Sequence, residues 1–167
     1  KINEIREATN HEIPIQLKLG AARVYDDVRM AIKTGPDSIY IDGMEGGTGA
    51  GPHLATEDTG VPGMAAIRQA RKALDDLGKS GEISLVYAGG IRNGSDVAKA
   101  LALGADAIAI GHSALMALNC NKDIPEADYP KEMGVEAGNC YHCHTGRCPV
   151  GVATQDPVLR KRLDPDE

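Results

Sequence analysis

Four cysteines are crowded into the last third of the chain, at Cys120, Cys140, Cys143 and Cys148. The run Cys140-x2-Cys143-x4-Cys148 is compact, and Pro149 follows it directly. Thiolates at such spacing suit an iron–sulfur cluster. Four thiolates also suit zinc, and unligated structural thiols are the third reading. The N-terminus carries no signal-peptide pattern, which favours metal over disulfide and predicts a cytoplasmic protein. His142 and His144 flank Cys143; they are expected to be hydrogen-bonded or solvated rather than ligands.

A second chemistry is written in glycine. Ala88-Gly89-Gly90-Ile91-Arg92-Asn93-Gly94 follows an apolar run and opens a helical pattern, and Ile110-Gly111-His112-Ser113 repeats the arrangement. Glycines there let the backbone approach an anion, and the N–H groups at the helix starts then bind it. Gly89, Gly90, Arg92, Gly111 and His112 are therefore candidates for holding a cofactor phosphate. On this ground alone FMN, nucleotides and sugar phosphates all qualify; tight turns without a ligand are the plain alternative. A third glycine-rich stretch runs from Gly43 to Pro52. Lys18 is a lone cation between Leu17 and Leu19 at the end of a strand pattern.

The elements that must position these groups alternate. Residues 13–19, 38–42, 83–88 and 106–110 read as strands. Helical spacing fills 24–33, 62–77 and 95–103, with a turn or two over 112–118. In the longest helix Ile67, Ala70, Leu74 and Leu77 form one stripe, and Gly78 is a plausible stop. The strands are short and apolar on both faces, as buried parallel strands are. After Asn119 the pattern turns polar and predicts an extension with little regular structure. Each strand ends in a special loop, and function at the C-terminal ends of parallel strands is the rule for (β/α)8 barrels. Such a barrel needs roughly 250 residues. The fold expected is α/β: the C-terminal half of a (β/α)8 TIM barrel over 1–119, then a Cys-rich extension over 120–167. The N-terminal half-barrel is expected on another segment. An open, doubly wound four-stranded sheet is the alternative.

Composition agrees with a packed domain. Of 167 residues 42 % are hydrophobic, and with neither Phe nor Trp the core must be built from Ile, Val, Leu, Ala and Met. The net charge of −6 and the lack of a basic patch argue against a nucleic-acid partner. No run of roughly 18 apolar residues would span a membrane. The chain begins at Lys1 rather than Met, so a processed chain or a piece of a longer one is expected.

Three segments, in order, carry a resemblance. Asp42-Gly43-Met44-Glu45-Gly46-Gly47-Thr48-Gly49-Ala50-Gly51-Pro52 is similar to the glycine loop of the glutamate synthase FMN domain. Lys18, in Gln16-Leu17-Lys18-Leu19, stands where that family carries a flavin-facing lysine. Cys143-His144-Thr145-Gly146-Arg147-Cys148-Pro149-Val150-Gly151-Val152-Ala153-Thr154-Gln155 resembles its cluster-binding segment. The likeness runs from about residue 13 to 158. The resemblance implies a barrel holding FMN, an iron–sulfur cluster of the 3Fe-4S or 4Fe-4S type, and reduction of a 2-iminoglutarate-type intermediate. That intermediate would form from 2-oxoglutarate and ammonia or methylamine. It implies Lys18, Gly47 and Thr48 as catalytic residues, and Lys18, Gly46, Gly47, Gly49 and the phosphate-loop residues as cofactor contacts. Arg23, Lys18 and Arg92 are the cations within reach of a carboxylate substrate. Glu45 replaces an expected Asp, and its role as loop acid or site acid is open. Cys143 and Cys148 match the family pattern, while Cys140 and Cys120 compete for the remaining place. Amidotransferase and electron-donor domains or subunits are the implied partners. Lys18 to Asp27 and Asp42-Gly43-Met44 look like the N-methylglutamate synthase flavin-subunit branch. An FMN-free phosphate-binding barrel and a non-catalytic electron-transfer subunit are the rival readings.

Overall fold

Four strands pair in parallel in the order in which the chain makes them: β1 (Gln16–Gly20), β2 (Ser38–Asp42), β3 (Ser84–Ala88) and β4 (Ala107–Ala109). In this computed structural model the described residues are 1–47, 54, 58–118, 120, 140 and 142–163. The helices are α1 (Ile2–Ala8), α2 (Val24–Ile32), α3 (Gly63–Asp76), α4 (Gly94–Leu103) and α5 (His112–Ala117). Two compact units result: Lys1–Gly47 with His53–Ile110, and Thr48–Pro52 with Gly111–Glu167.

Strand order separates the two fold expectations. A doubly wound sheet reverses its order at a switch point. Here the order β1-β2-β3-β4 never reverses. With right-handed crossovers, the connecting helices α2, α3 and α4 then land on one face. Burial agrees: Ile39, Ile41, Leu85 and Tyr87 are 1 % exposed or less and join the core of Val24, Val28, Ile67, Ala70 and Leu74. Each large side chain so buried contributes about 1.5–3 kcal/mol. The opposite face carries Gln16, Lys18, Ser38, Tyr40, Asp42 and Ser84, none of them buried. It also carries Val86 and Ala88 of β3 and, by register, Ala107 and Ala109 of β4. The expectation of strands apolar on both faces therefore holds for the later two strands and not for β1 and β2. This is the sheet of an α/β barrel segment.

Helix faces follow from spacing. In α3 the buried positions Ala66, Ile67, Ala70, Ala73 and Leu74 line one side. Leu77 falls just past its end and is 37 % exposed, outside the stripe. In α4 the Asn93 side chain accepts from the Asp96 N–H at 3.1 Å, a standard N-cap. Arg71 of α3 donates to the Gly104 carbonyl at 2.6 Å and to Asp106 at 2.8 Å, fixing the turn into β4.

The strand ends are set by carboxylates. β1 starts at Gln16 rather than at residue 13 because Pro14 lacks an N–H, and the Ile15 N–H donates to Asp37 at 2.6 Å. β4 is shorter than 106–110 because Asp106 accepts from the Leu85 N–H at 2.7 Å, and Ile110 leaves the sheet half-exposed. Helix α1 escaped the sequence pattern because it buries nothing. It is tied down by Arg6, which donates to the Gly35 carbonyl at 2.7 Å and to Asp37 at 3.0 Å.

Tyr87 fits because Gly63 has no side chain: a Cβ there would overlap the Tyr87 hydroxyl and lie 2.5 Å from its ring. Gly63→Ala is expected to destabilise the protein by about 1–3 kcal/mol, read as a lower urea midpoint. An unchanged midpoint would show that Tyr87 is not held there.

Candidate functional site at the strand ends

The parallel register places Lys18 beside Tyr40 and Gly20 beside Asp42, at the C-terminal ends of β1 and β2. Period-two alternation then puts Lys18, Tyr40 and Asp42 on the helix-free face. The Lys18 Nζ lies 2.8 Å from Asp42 Oδ2 and 4.6 Å from the centroid of the Tyr40 ring. The hydrogen bond to Asp42 pushes the Lys18 ammonium above its ordinary range, against a smaller opposing effect of burial. The lysine is therefore charged at any physiological pH. Asp42 is only 15 % exposed, and its Oδ1 is buried with no hydrogen-bond partner among the described residues.

The loop after β2 is built around that carboxylate. Gly46 backs onto it, and a Cβ at that position would overlap Asp42 Oδ1. The Gly43 N–H donates to the Ala88 carbonyl at 3.0 Å, and the Met44 N–H to the Val61 carbonyl at 3.1 Å. Glu45 accepts from the Gly63 N–H at 3.0 Å, where an unpaired helix-start donor and the helix dipole both favour an anion. This gives Glu45 its role: it ties the glycine loop to the start of α3. Gly89, at φ +114°, brings the end of β3 against Gly43, which only a residue without Cβ allows. The Tyr87 hydroxyl donates to the Gly89 carbonyl at 2.6 Å. Burial pushes that hydroxyl up to about 12, with the charges of Glu45, Asp42 and Asp96 adding to it.

A pocket of about 290 Å³ opens at these strand ends, formed by residues 20–22, 42–44, 46 and 59–60. Sequence reasoning missed Ala21, Ala22, Thr59 and Gly60. They reach the pocket through a backbone tie, the Val61 N–H donating to the Ala21 carbonyl at 2.8 Å, which leaves no mark on residue type. It also missed Tyr40 and Asp42 as companions of Lys18, although strand periodicity could have found them. Gly46 lines the pocket, and Gly47 is exposed with φ +110°. Thr48 and Gly49 lie outside the described residues.

Gly89 and Gly90 close β3, with Gly90 exposed against Glu45. Arg92 is exposed, and its backbone N–H donates to Asp96 at 3.1 Å. The side chains of Asn93 and Asp96 thus already take two donors at the start of α4. Arg23 is 83 % exposed and stands 3.7 Å from Asp27. Gly111 and His112 belong to the second unit, where both are exposed and Gly111 precedes α5.

The cysteines also lie in the second unit, none of them in a disulfide. Cys148 is buried, Cys143 exposed, Cys120 and Cys140 between. Burial raises the Cys140 thiol, the Cys148 and Cys143 charges raise it further, and a backbone N–H at His142 partly offsets this. His142 Nε2 is buried with no partner among the described residues. Thr154 donates to the Gly146 carbonyl and Arg162 to the Pro149 carbonyl at 3.1 Å, closing the segment on itself. Among the described residues no three Cys, His, Asp or Glu side chains are grouped as ligands of one metal ion. No helix there is long and apolar enough to cross a membrane.

Comparison with known proteins gives the same frame. The family model described as a conserved region in glutamate synthase matches residues 1–124 and 132–167. The chain is 51 % identical over 165 residues to a glutamate synthase large subunit-like protein of Rhizobium meliloti, covering 99 % of this chain and 37 % of that protein. It is 39 % identical over 166 residues to an archaeal glutamate synthase [NADPH] of Archaeoglobus fulgidus, covering 99 % of this chain and 29 % of that one. The chain thus spans about a third of the curated relatives it matches. In fold it resembles a FabK mutant from Thermotoga maritima (TM-score 0.52, 21 % identity, 81 % of this chain and 39 % of that one). It also resembles a flavocytochrome b2 mutant with pyruvate bound (TM-score 0.53, 22 % identity, 72 % and 28 %).

One consequence of the site can be read by titration. Because the folded Tyr87 hydroxyl sits above its unfolded value, its contribution to stability is complete below about pH 10. That contribution is lost as pH rises from there toward about 12. Tyr87→Phe is expected to remove the last tyrosine ionisation seen by ultraviolet absorbance and to flatten the loss of stability in that window. An unchanged alkaline titration would contradict the assignment.

Proposed function

This chain belongs to the glutamate synthase family, and from that premise we propose that it forms the flavin-facing half of a barrel that reduces the imine of 2-oxoglutarate and ammonia to glutamate. The observation that carries the reading is Lys18, an ammonium held charged on the helix-free face at the strand ends. The residues present fit FMN. The strand ends offer a cation that would offset the negative charge of a reduced flavin, and a pocket of about 290 Å³, lined in part by Gly20, Gly43, Gly46 and Gly60, adjoins them. When bound, FMN supplies hydride transfer to a carbon–nitrogen double bond.

The chain's own residues divide the remaining work. Lys18 stabilises charge at the strand end. Gly46 and Gly47 keep side chains away from that end. Gly89, Gly90 and Arg92 are the proposed phosphate contacts. The compact spacing of Cys140, Cys143 and Cys148 supports a cluster, although among the described residues these thiols are not grouped around one metal position. A cluster there supplies one-electron transfer. The other half-barrel, an amidotransferase and an electron donor would be provided by further domains or subunits.

Two experiments on the full-length protein test this. As purified it should show flavin absorbance and make glutamate from 2-oxoglutarate and ammonia; Lys18→Ala should weaken flavin binding or turnover roughly tenfold or more. Full activity in that variant would remove Lys18 from the mechanism. Iron and acid-labile sulfide should be present and should fall in Cys148→Ser; metal content indifferent to that substitution would exclude the thiols as ligands.

A further inference from the structure

The Lys18–Asp42 pair is unequal. Lys18 is 56 % exposed on a flexible stem, whereas Asp42 is 15 % exposed on a central strand with Gly46 pressed against one oxygen. The anion is anchored, and it locates the cation. The arrangement makes poor sense as a stabilising device. A half-exposed ion pair contributes only about 0–1 kcal/mol, and here a buried Asp42 oxygen has no partner among the described residues, which is costly. The pair also stands on the helix-free face beside the pocket, whose lining includes Asp42 itself. A cation placed to stabilise an anionic ligand would be strongest alone. With its partner 2.8 Å away, the strand end carries a dipole in place of a full positive charge.

We propose that Asp42 is a positioning residue that fixes the Lys18 ammonium at the strand end and tempers its field on the bound flavin. This rests on the FMN reading above. The two partners then act in opposite senses on the preference for reduced over oxidised flavin. Loss of Lys18 leaves an uncompensated carboxylate and disfavours the reduced, more anionic form. Loss of the Asp42 charge leaves an uncompensated ammonium and favours it. A role confined to packing would move both variants the same way.

The test uses the full-length, flavin-loaded protein as wild type, Asp42→Asn and Lys18→Met. The flavin midpoint potential, measured against a reference dye, gives the ratio of dissociation constants for oxidised and reduced FMN. Asp42→Asn should raise that ratio and Lys18→Met should lower it, each by roughly tenfold, the scale of one charge acting through partly hydrated protein. If Asn is not tolerated against Gly46, Asp42→Ser, which is smaller, makes the same comparison. An unchanged ratio in the Asp42 variant, or a shift in the direction of Lys18→Met, overturns the inference. A second readout needs no flavin: the Lys18 amine, followed by NMR after isotopic methylation, should lose its proton at lower pH in Asp42→Asn than in wild type. If the wild-type protein carries no flavin, the FMN reading fails and with it the tempering role. If flavin is present but Lys18 titrates identically in both proteins, the positioning role fails alone.

Discussion

Everything at the strand ends depends on one constraint: four parallel strands paired in sequence order, in register. Because no strand skips a neighbour, all crossovers fall on one side and the connecting helices α2, α3 and α4 cover one face. The other face is left for chemistry. Register does the rest, setting Lys18 against Tyr40 and Gly20 against Asp42. A slip of one residue would turn Lys18 into the helix layer and Leu17 or Leu19 out of it. The ion pair is thus a product of the ladder.

The second layer of dependence is backbone on backbone. With neither Phe nor Trp in the sequence, Tyr87 is the largest fully buried side chain of the described residues. It is also the point where core and site meet. Its ring occupies the space that Gly63 leaves, and its hydroxyl holds the Gly89 carbonyl. Glu45 then ties the loop after β2 to the same helix start. The glycines serve close approach: Gly43 and Gly89 touch because neither has a side chain to part them.

How much of this was legible in the sequence depends on the kind of signal. β2 could be placed to the residue, and α3 to within one residue at each end, because apolar periodicity marks both. Helix α1 could not, since it buries no apolar face. The ends of β1 and β4 were misplaced because Asp37 and Asp106 take backbone donors with their side chains, which apolar patterning does not encode. Lys18 stood out as a cation in an apolar strand. Its pairing with Asp42 did not, because cross-strand register is a tertiary fact. Glu45 became intelligible only once the start of α3 was seen beside it.

The helix-free strand ends around Lys18 are proposed to face the flavin, and a crystal structure of the full-length protein with FMN bound is the decisive measurement. The isoalloxazine ring is expected over the face carrying Lys18, Tyr40 and Asp42, with the Lys18 ammonium in contact with the ring's N1–O2 edge and still paired to Asp42. FMN bound away from that face, or a Lys18 ammonium turned from the flavin into solvent, would contradict it.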